Sequence, residues 1–110
     1  MVKPVIGDVV VLPFPQTDLQ VGKRRPALVA ADLAGDDLIL CQITSKSHHR
    51  DSYSIPLLTT DFGHGGLNLD SHIRANRLFT VDHAVVIYVV GSIKRDILEE
   101  TRAKICDLFR

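Results

Sequence analysis

The sequence predicts a small, mainly antiparallel β barrel or sheet that ends in one α-helix. Its apolar residues fall in short runs separated by turn-forming residues, a pattern typical of mainly β proteins. Helical spacing of apolar residues is clearest near the C-terminus. The length of 110 residues and the hydrophobic content of 45% suit one packed core. We therefore expect a single domain over residues 1–110.

The first half of the chain contains three segments with strand character, at residues 9–12, 27–31 and 38–44. The first segment is apolar without alternation, so we expect both of its faces to be covered. Pro13 and Pro15 end it, and a polar loop over residues 16–24 separates it from the second segment. A turn at residues 34–37 leads into the third segment, which has strong β character.

The second half begins with Tyr53-Ser54-Ile55, which alternates and is followed by Pro56. Proline within such a run favours an edge strand or a bulge. The glycines between residues 59 and 70 predict a turn with positive-φ positions. Three further elements are expected: an extended segment at residues 71–81, a helical turn near residues 80–83, and a buried strand at residues 85–90.

The C-terminal segment, residues 94–109, is the clearest helix. Gly91-Ser92 separates it from the preceding strand. Its acidic residues lie towards the N-terminal, positive end of the helix dipole and its basic residues towards the other end. We expect it to cover the sheet through one apolar stripe, which consists of Ile97, Leu98, Thr101, Ile105, Leu108 and Phe109.

The charge balance is even, with 13 basic and 13 acidic residues. This balance argues against a protein that coats nucleic acid through a global positive field, so any such contact must be local. No apolar run is long enough to span a bilayer, and the N-terminal segment is too short to be a signal peptide. We expect a cytoplasmic protein. In that compartment Cys41 and Cys106 are expected to be reduced and to belong to the core.

Three consecutive cations, Lys23, Arg24 and Arg25, lead directly into the second predicted strand. Pro26 fixes its own φ and disfavours the α region for Arg25, so this guanidinium should occupy a defined place at the edge of the strand. Such a fork suits binding of a phosphate or a carboxylate. The alternative is that these cations merely solvate a hairpin. Other cations cluster in two segments, which are Lys46, His48, His49 and Arg50, and Arg74 and Arg77.

Other site chemistries lack their motifs. The five histidines and two cysteines form no HExxH or CxxC pattern, so we expect no metal. The glycine-rich segment matches no phosphate-binding or dinucleotide fingerprint, and no cofactor is expected. No nucleophile elbow indicates acyl transfer.

An ordered set of motifs resembles the MazF/PemK family of toxin endoribonucleases. The set comprises GDVVVLPFP from Gly7, KRRPALV from Lys23, ITSK from Ile43, Gly66-Leu67, Asp70-Ser71, LFTVD from Leu78, and the C-terminal helix. The resemblance covers nearly the full length. The family often has Arg in a QIRT-like stretch, whereas this chain reads Arg77-Leu78-Phe79-Thr80 and is more similar to the PemK-like branch.

The resemblance implies an SH3-like barrel decorated by helices and a homodimer. It also implies that single-stranded RNA lies in a groove at the dimer interface and that an antitoxin peptide occupies the same groove. The implied reaction is metal-independent cleavage of mRNA, in which the substrate's own 2′-hydroxyl attacks the adjacent phosphorus. The principal catalytic residues of the family correspond to Arg25 and Thr44. Arg25 would clamp the phosphate, and Thr44 would donate its hydroxyl to a phosphoryl oxygen.

Further RNA contacts are expected from cationic and polar residues near this pair and in the later segments. These candidates are Lys23, Arg24, Ser45, Lys46, His48, His49, Arg74 and Arg77. For each loop residue the alternative is ordinary solvation. The aromatic side chains considered for base stacking are Phe14, Tyr53, Phe62 and Phe79.

Two other functions remain open from the sequence. The same fold family includes CcdB-like toxins that bind DNA gyrase and do not cut RNA, and a fold alone does not decide between them. The presence of both Arg25 and Thr44 favours the nuclease. A catalytically silent barrel that binds RNA or a partner is the third interpretation. It would be favoured if the loops after Thr17 and Thr44 closed over the basic face, because substrate could not then reach Arg25.

Overall fold

The structure, a computed structural model, describes residues 2–14, 23–45 and 52–110. Within these ranges the elements are β1 (Asp8–Pro13), β2 (Arg24–Asp32), β3 (Asp37–Thr44), β4 (Ser54–Leu57), β5 (Phe62–Gly65), β6 (Ser71–Asp82), β7 (Tyr88–Ile93) and α1 (Arg95–Asp107). Short 3-10 helices lie at Thr59–Asp61 and His83–Val85. Pro15 and most of the predicted polar loop lie outside the described residues, as do Lys46, His48, His49 and Arg50.

The strands form one sheet with the order β4-β6-β3-β2-β1-β7-β5, and every neighbouring pair is antiparallel. The sheet curls into a half-barrel, which confirms the predicted mainly β fold with a C-terminal helix. Pro56 lies in β4, at one end of the strand order, so the prediction of an edge strand there is confirmed. Proline has no backbone N–H to donate. It is tolerated in an edge strand because such a strand has no neighbouring strand on one side.

Alternate residues of the central strands enter two apolar clusters on opposite faces of the sheet. In β1, Val9 belongs to one cluster and Val10 to the other. Residues 9–12 are all buried, so the expectation that both faces of this strand are covered is confirmed. The cluster that contains Val9 also contains Leu28, Cys41 and Ile73, and α1 packs against it through Ile97, Leu98 and Ile105.

The helix is slightly shorter than predicted, and this changes two assignments. Phe109 was expected on the apolar stripe but is 78% exposed, because α1 ends at Asp107 and helical spacing no longer directs Phe109 towards the sheet. Cys106 was assigned to the core but is exposed, since it lies beside Ile105 and faces outward. Both cysteines are free. None of the helices in the described ranges is long and apolar enough to cross a bilayer.

The second strand begins earlier than predicted. Arg24, Arg25 and Pro26 belong to β2 because they pair with Pro13, Leu12 and Val11 of β1. The cationic segment is therefore mostly strand, and of its three cations only Lys23 precedes β2.

The glycine-rich segment and the last strand also differ from expectation. Residues 59–70 contain a 3-10 turn and β5, and of their glycines only Gly65 has positive φ, at 64°. The last strand is β7, which runs through Gly91-Ser92. A Cβ on Gly91 would overlap the carbonyl oxygen of His64, so glycine allows β5 and β7 to approach closely. Val85 and Val89, expected to be buried, are 45% and 42% exposed because they precede or begin the strand.

Candidate functional site

The candidate site lies where β2 begins and β3 ends. In these antiparallel strands Ala27 pairs with Gln42. From one pair to the next, the residue number rises by one in one strand and falls by one in the other. Continuing this register by two residues places Arg25 opposite Thr44. Directly opposite residues project from the same face, so the guanidinium and the hydroxyl of this pair are neighbours on one surface.

Arg25 and Thr44 are both half-buried, and both line the same open groove. The groove has a volume of about 330 Å³. Its lining consists of Lys23, Arg24, Arg25, Pro26, Ile43, Thr44, Ser45, Leu67, Asn68, Leu69 and Ser71. Ligand-binding clefts have volumes of about 300 Å³ or more, so this groove is at the small end of that range. It has room for only part of a polymer.

The electrostatics of the groove favour an anion. Among its described lining residues, Lys23, Arg24 and Arg25 carry charge and none is acidic. Lys23 and Arg24 are exposed, which leaves their charges in contact with water and with any approaching polymer. A backbone hydrogen bond of 3.1 Å from Phe14 N–H to the Lys23 carbonyl connects this cationic segment to the end of β1.

The groove wall, residues 66–70, contributes Leu67, Asn68 and Leu69 to the lining, and hydrogen bonds anchor it at both ends. Gly66 N–H donates to the Val90 carbonyl at 3.1 Å. At the other end, Thr59 N–H donates to Asp70 Oδ1 at 2.8 Å, and the Ser71 hydroxyl donates to the Leu69 carbonyl at 3.0 Å. Sequence reasoning had not assigned Leu67, Asn68 or Leu69 to a site, since uncharged loop residues carry no distinctive signal.

A second depression adjoins the groove. It has a volume of about 290 Å³ and shares with the groove Arg24, Arg25, Pro26, Leu67 and Asn68. Tyr88 lines it and is 47% exposed. Tyrosine can stack on an unpaired base, so Tyr88 joins the aromatic candidates. Tyr88 was not a candidate in the sequence analysis because residues 85–90 were predicted to form a buried strand.

Of the other predicted contact residues within the described ranges, one lines this groove and two do not. Ser45 lines it, whereas Arg74 is half-buried in β6 and Arg77 is exposed on that strand, outside both depressions. Lys46, His48 and His49 follow directly on Ser45 but lie outside the described residues. The structure therefore assembles Lys23, Arg24, Arg25, Thr44 and Ser45 of the candidate set.

Two of the aromatic candidates have structural contacts of their own. Phe14 and Phe79 pack edge to face, with their ring centroids 5.1 Å apart, against the second apolar cluster. Phe62 packs against the first cluster, while Tyr53 is 40% exposed. In the part of the chain that the structure describes, no group of three or more potential ligands is placed to hold a metal ion.

Comparisons with known proteins bear on this site. No curated protein sequence matches the chain. The chain is similar to the crystal structure of MazF from Deinococcus radiodurans, with 25% identity, a TM-score of 0.75, and coverage of 97% of this chain and 96% of the other. A MazE–MazF structure from the same organism has 23% identity, a TM-score of 0.75, and coverage of 97% and 95%.

The Mycobacterium tuberculosis toxin MazF-mt6 shares the fold at 17% identity, with a TM-score of 0.69 and coverage of 93% of this chain and 95% of that chain. The family model described as PemK-like, MazF-like toxin of type II toxin-antitoxin system matches residues 6–109. That match includes the β2–β3 pair, the groove wall and α1. The chain therefore belongs to the PemK-like, MazF-like family of type II toxin-antitoxin toxins.

Proposed function

We propose that this protein is a metal-independent, sequence-selective endoribonuclease that cleaves single-stranded mRNA. The observation that carries the proposal is the Arg25–Thr44 pair, which adjacent strands bring together in a cationic groove without acidic lining residues. Membership of a toxin family supports it, since the family match spans residues 6–109 and so includes both residues. Their catalytic roles are what the sequence resemblance implies. As an mRNA-cleaving toxin the protein would act in the cytoplasm.

The proposed reaction is a transesterification within the RNA. The 2′-oxygen attacks the adjacent phosphorus, the bond from phosphorus to the 5′-oxygen breaks, and the products end in a 2′,3′-cyclic phosphate and a 5′-hydroxyl. Arg25 binds the phosphoryl oxygens with its guanidinium fork and stabilises the charge that increases on them. Thr44 donates a hydrogen bond to the same group. Because β2 and β3 hold both side chains, they are positioned before the substrate arrives.

The surroundings of the pair favour an unpaired strand as substrate. Lys23 and Arg24 contact backbone phosphates, which gives affinity without sequence information. Asn68 offers amide groups, and Tyr88 offers an aromatic face, to bases that are not engaged in pairing. Selection among sequences therefore rests with the groove wall and the adjoining depression.

The proposal includes two protein partners. A type II toxin is paired with an antitoxin, and a segment of that antitoxin with acidic groups would compete with RNA for the cationic groove. A second copy of this chain is expected as the other partner. The exposed apolar residues Val85, Tyr88 and Val89 provide surface suited to such an interface.

The test is incubation of purified protein with a long, weakly structured RNA in excess EDTA, followed by mapping of the cut ends. Wild type is compared with Arg25→Ala and with Arg77→Ala, which removes the same charge outside the groove. Discrete cuts by wild type and Arg77→Ala, with none by Arg25→Ala, are expected. A folded protein that cuts none of several RNAs would overturn the proposal and favour gyrase binding or a silent barrel.

A further inference from the structure

His72 lies beside Thr44 on the neighbouring strand. The β3–β6 register pairs these two residues directly, so their side chains project from the same face, with Cβ atoms about 5 Å apart. Arg25 lies on the other side of Thr44 when the β2–β3 register, in which Ala27 pairs with Gln42, is continued by two residues. Arg25, Thr44 and His72 therefore form a row across three adjacent strands.

The fold leaves one nitrogen of this imidazole uncommitted. His72 is half-buried, and its Nδ1 is buried without a hydrogen-bond partner among the residues that the structure describes. Across the sheet on the β4 side its register partner is Pro56, which offers no titratable group. The charged residues closest to it along the chain are Arg74, two positions further along β6, and Asp70, two positions before it. Asp70 Oδ1 accepts a hydrogen bond from the backbone N–H of Thr59. Burying a polar atom without a partner costs free energy, which a functional role would explain.

The cleavage chemistry lacks a proton carrier in the Arg25–Thr44 pair. Attack by the 2′-hydroxyl releases a proton, and the departing 5′-oxygen must gain one. A guanidinium stays charged and a threonine hydroxyl stays neutral at physiological pH, so neither group exchanges protons readily. Imidazole gains and loses a proton within that range.

We propose that His72 is a third catalytic residue, which transfers a proton to or from the scissile phosphodiester. The inference rests on the proposed nuclease function. As a base, His72 takes the proton of the 2′-hydroxyl while the 2′-oxygen bonds to phosphorus. As an acid, it gives a proton to the 5′-oxygen while the bond from phosphorus to that oxygen breaks. In either role water exchanges the second proton. It protonates the departing 5′-oxygen when His72 is the base, and it accepts the 2′-hydroxyl proton when His72 is the acid.

The spacing of the row suits this role. Adjacent strands lie about 4.8 Å apart, so Arg25 and His72 are about 10 Å apart with Thr44 between them. His72 is not itself a lining residue of the groove, but it is adjacent to Ser71 and Thr44, which are. A phosphate held at Thr44 would therefore have Arg25 on one side and His72 at the edge of the groove on the other. The entering and leaving oxygens of an in-line displacement lie on opposite sides of phosphorus, and this arrangement gives the imidazole access to one of them.

The experiment uses single-turnover cleavage of a chimeric oligonucleotide with one ribonucleotide at the mapped cut site, from pH 5 to pH 9. His72→Gln retains a polar side chain that does not titrate, and His72→Asn serves as a second variant. The matched control is His83→Gln, because His83 is another half-buried histidine whose Nδ1 lacks a partner in the described ranges, and it lies in the 3-10 helix after β6. Thermal unfolding checks that each variant is folded.

We expect His72→Gln to slow cleavage about 10²- to 10⁴-fold and to lose one ionisation from the pH–rate profile, while His83→Gln retains both rate and profile. A substrate with sulfur in place of the 5′-bridging oxygen then identifies the step, since a thiolate leaves without a proton. Recovery of the rate in His72→Gln on this substrate identifies His72 as the acid, and no recovery identifies it as the base.

Two results overturn the inference while the nuclease function stands. The first is that folded His72→Gln cleaves RNA at the same rate as the wild type. The second is that both His72 variants cleave more slowly but keep the wild-type pH–rate profile, which would indicate a structural role for His72. Wild-type protein that cuts no RNA would overturn the nuclease proposal and this inference together, so the two failures are distinguishable.

Discussion

The same two strands carry two contrasting residue pairs. Leu28 and Cys41 are paired in the β2–β3 ladder and are completely buried, within the apolar cluster that α1 covers. Arg25 and Thr44, three residues away on each strand, are only half-buried and line an open groove. The same two strands thus contribute apolar side chains to the core at the first pair and polar side chains to an open groove at the second. We infer that chemistry at the open pair is separable from stability at the buried pair.

Arg25→Ala tests the open pair most strongly. Removing an arginine that stabilises phosphoryl-transfer charge costs about 10³- to 10⁵-fold in rate, so cleavage should fall by this factor. Unfolding free energy should change by less than about 1 kcal/mol, because the side chain lies at the surface end of the strand. Single-turnover rates and urea denaturation measure the two quantities. A large loss of stability would show that the two pairs are not separable.

Leu28→Ala makes the opposite change at the buried pair. Loss of a fully buried leucine should lower the free energy of unfolding by about 2–5 kcal/mol through lost apolar burial and the cavity left behind. Cleavage per folded molecule should remain near that of wild type when measured well below the unfolding temperature. Chemical denaturation and the folded fraction under assay conditions are the required measurements. A folded but inactive variant would contradict the separation.

Thr44→Val removes the hydroxyl of the open pair and keeps the β-branched shape. Loss of one hydrogen-bond donor to a charged transition state should slow cleavage about 10²- to 10³-fold. Thr44→Ser is the matched control, because it restores the donor without the methyl group and should recover most of the rate. Equal rates in wild type and Thr44→Val would assign Thr44 a structural role at the end of β3.

Cys41→Ala, at the buried pair, should produce the smallest effect, a change in how the free energy of unfolding depends on pH. Burial raises the pKa of this thiol from 9.0 to about 12, and the thiol donates a hydrogen bond to the Arg74 carbonyl at 2.9 Å. Because the folded-state pKa is the higher one, the unfolded chain releases this proton first and stability falls as pH rises from about 9 towards 12. Between pH 8 and pH 10, wild type should lose about 1 kcal/mol relative to Cys41→Ala. Parallel pH dependences in urea denaturation would contradict this.

The sequence predicted most strands because their apolar runs and turn residues are local signals. The β1 run and the turn at Gly35, with φ of 79°, are examples, since each is determined by neighbours along the chain. The extent of β7 was missed because its glycine lies inside a strand for a long-range reason, the close approach of β5. Cys106 and Phe109 were misassigned because a helical stripe specifies a face but not where the helix ends.

The site was partly predictable for the same physical reason. The cations before Pro26 are a local signal, and family resemblance predicted that Arg25 and Thr44 are the principal residues. Their proximity, however, depends on the register of two strands, and the position of His72 depends on the register of a third. A lone histidine in an extended segment carries no sign of its cross-strand partner, so sequence reasoning had no means of selecting it.

The anchoring of the groove wall has a consequence for how the molecule could change its target. Residues 66–70 are hydrogen-bonded to β7 and to the turn before β5. Leu67 also packs against the apolar cluster that contains Leu28 of β2 and Ile43 of β3. The Arg25–Thr44 pair and the wall therefore belong to different segments of the chain that meet at the groove. Under the proposed function, substitutions at Asn68 or Leu69 would reshape the surface offered to bases while Arg25 and Thr44 are unchanged. The proposed cleavage step would in this way be redirected to other RNA sequences.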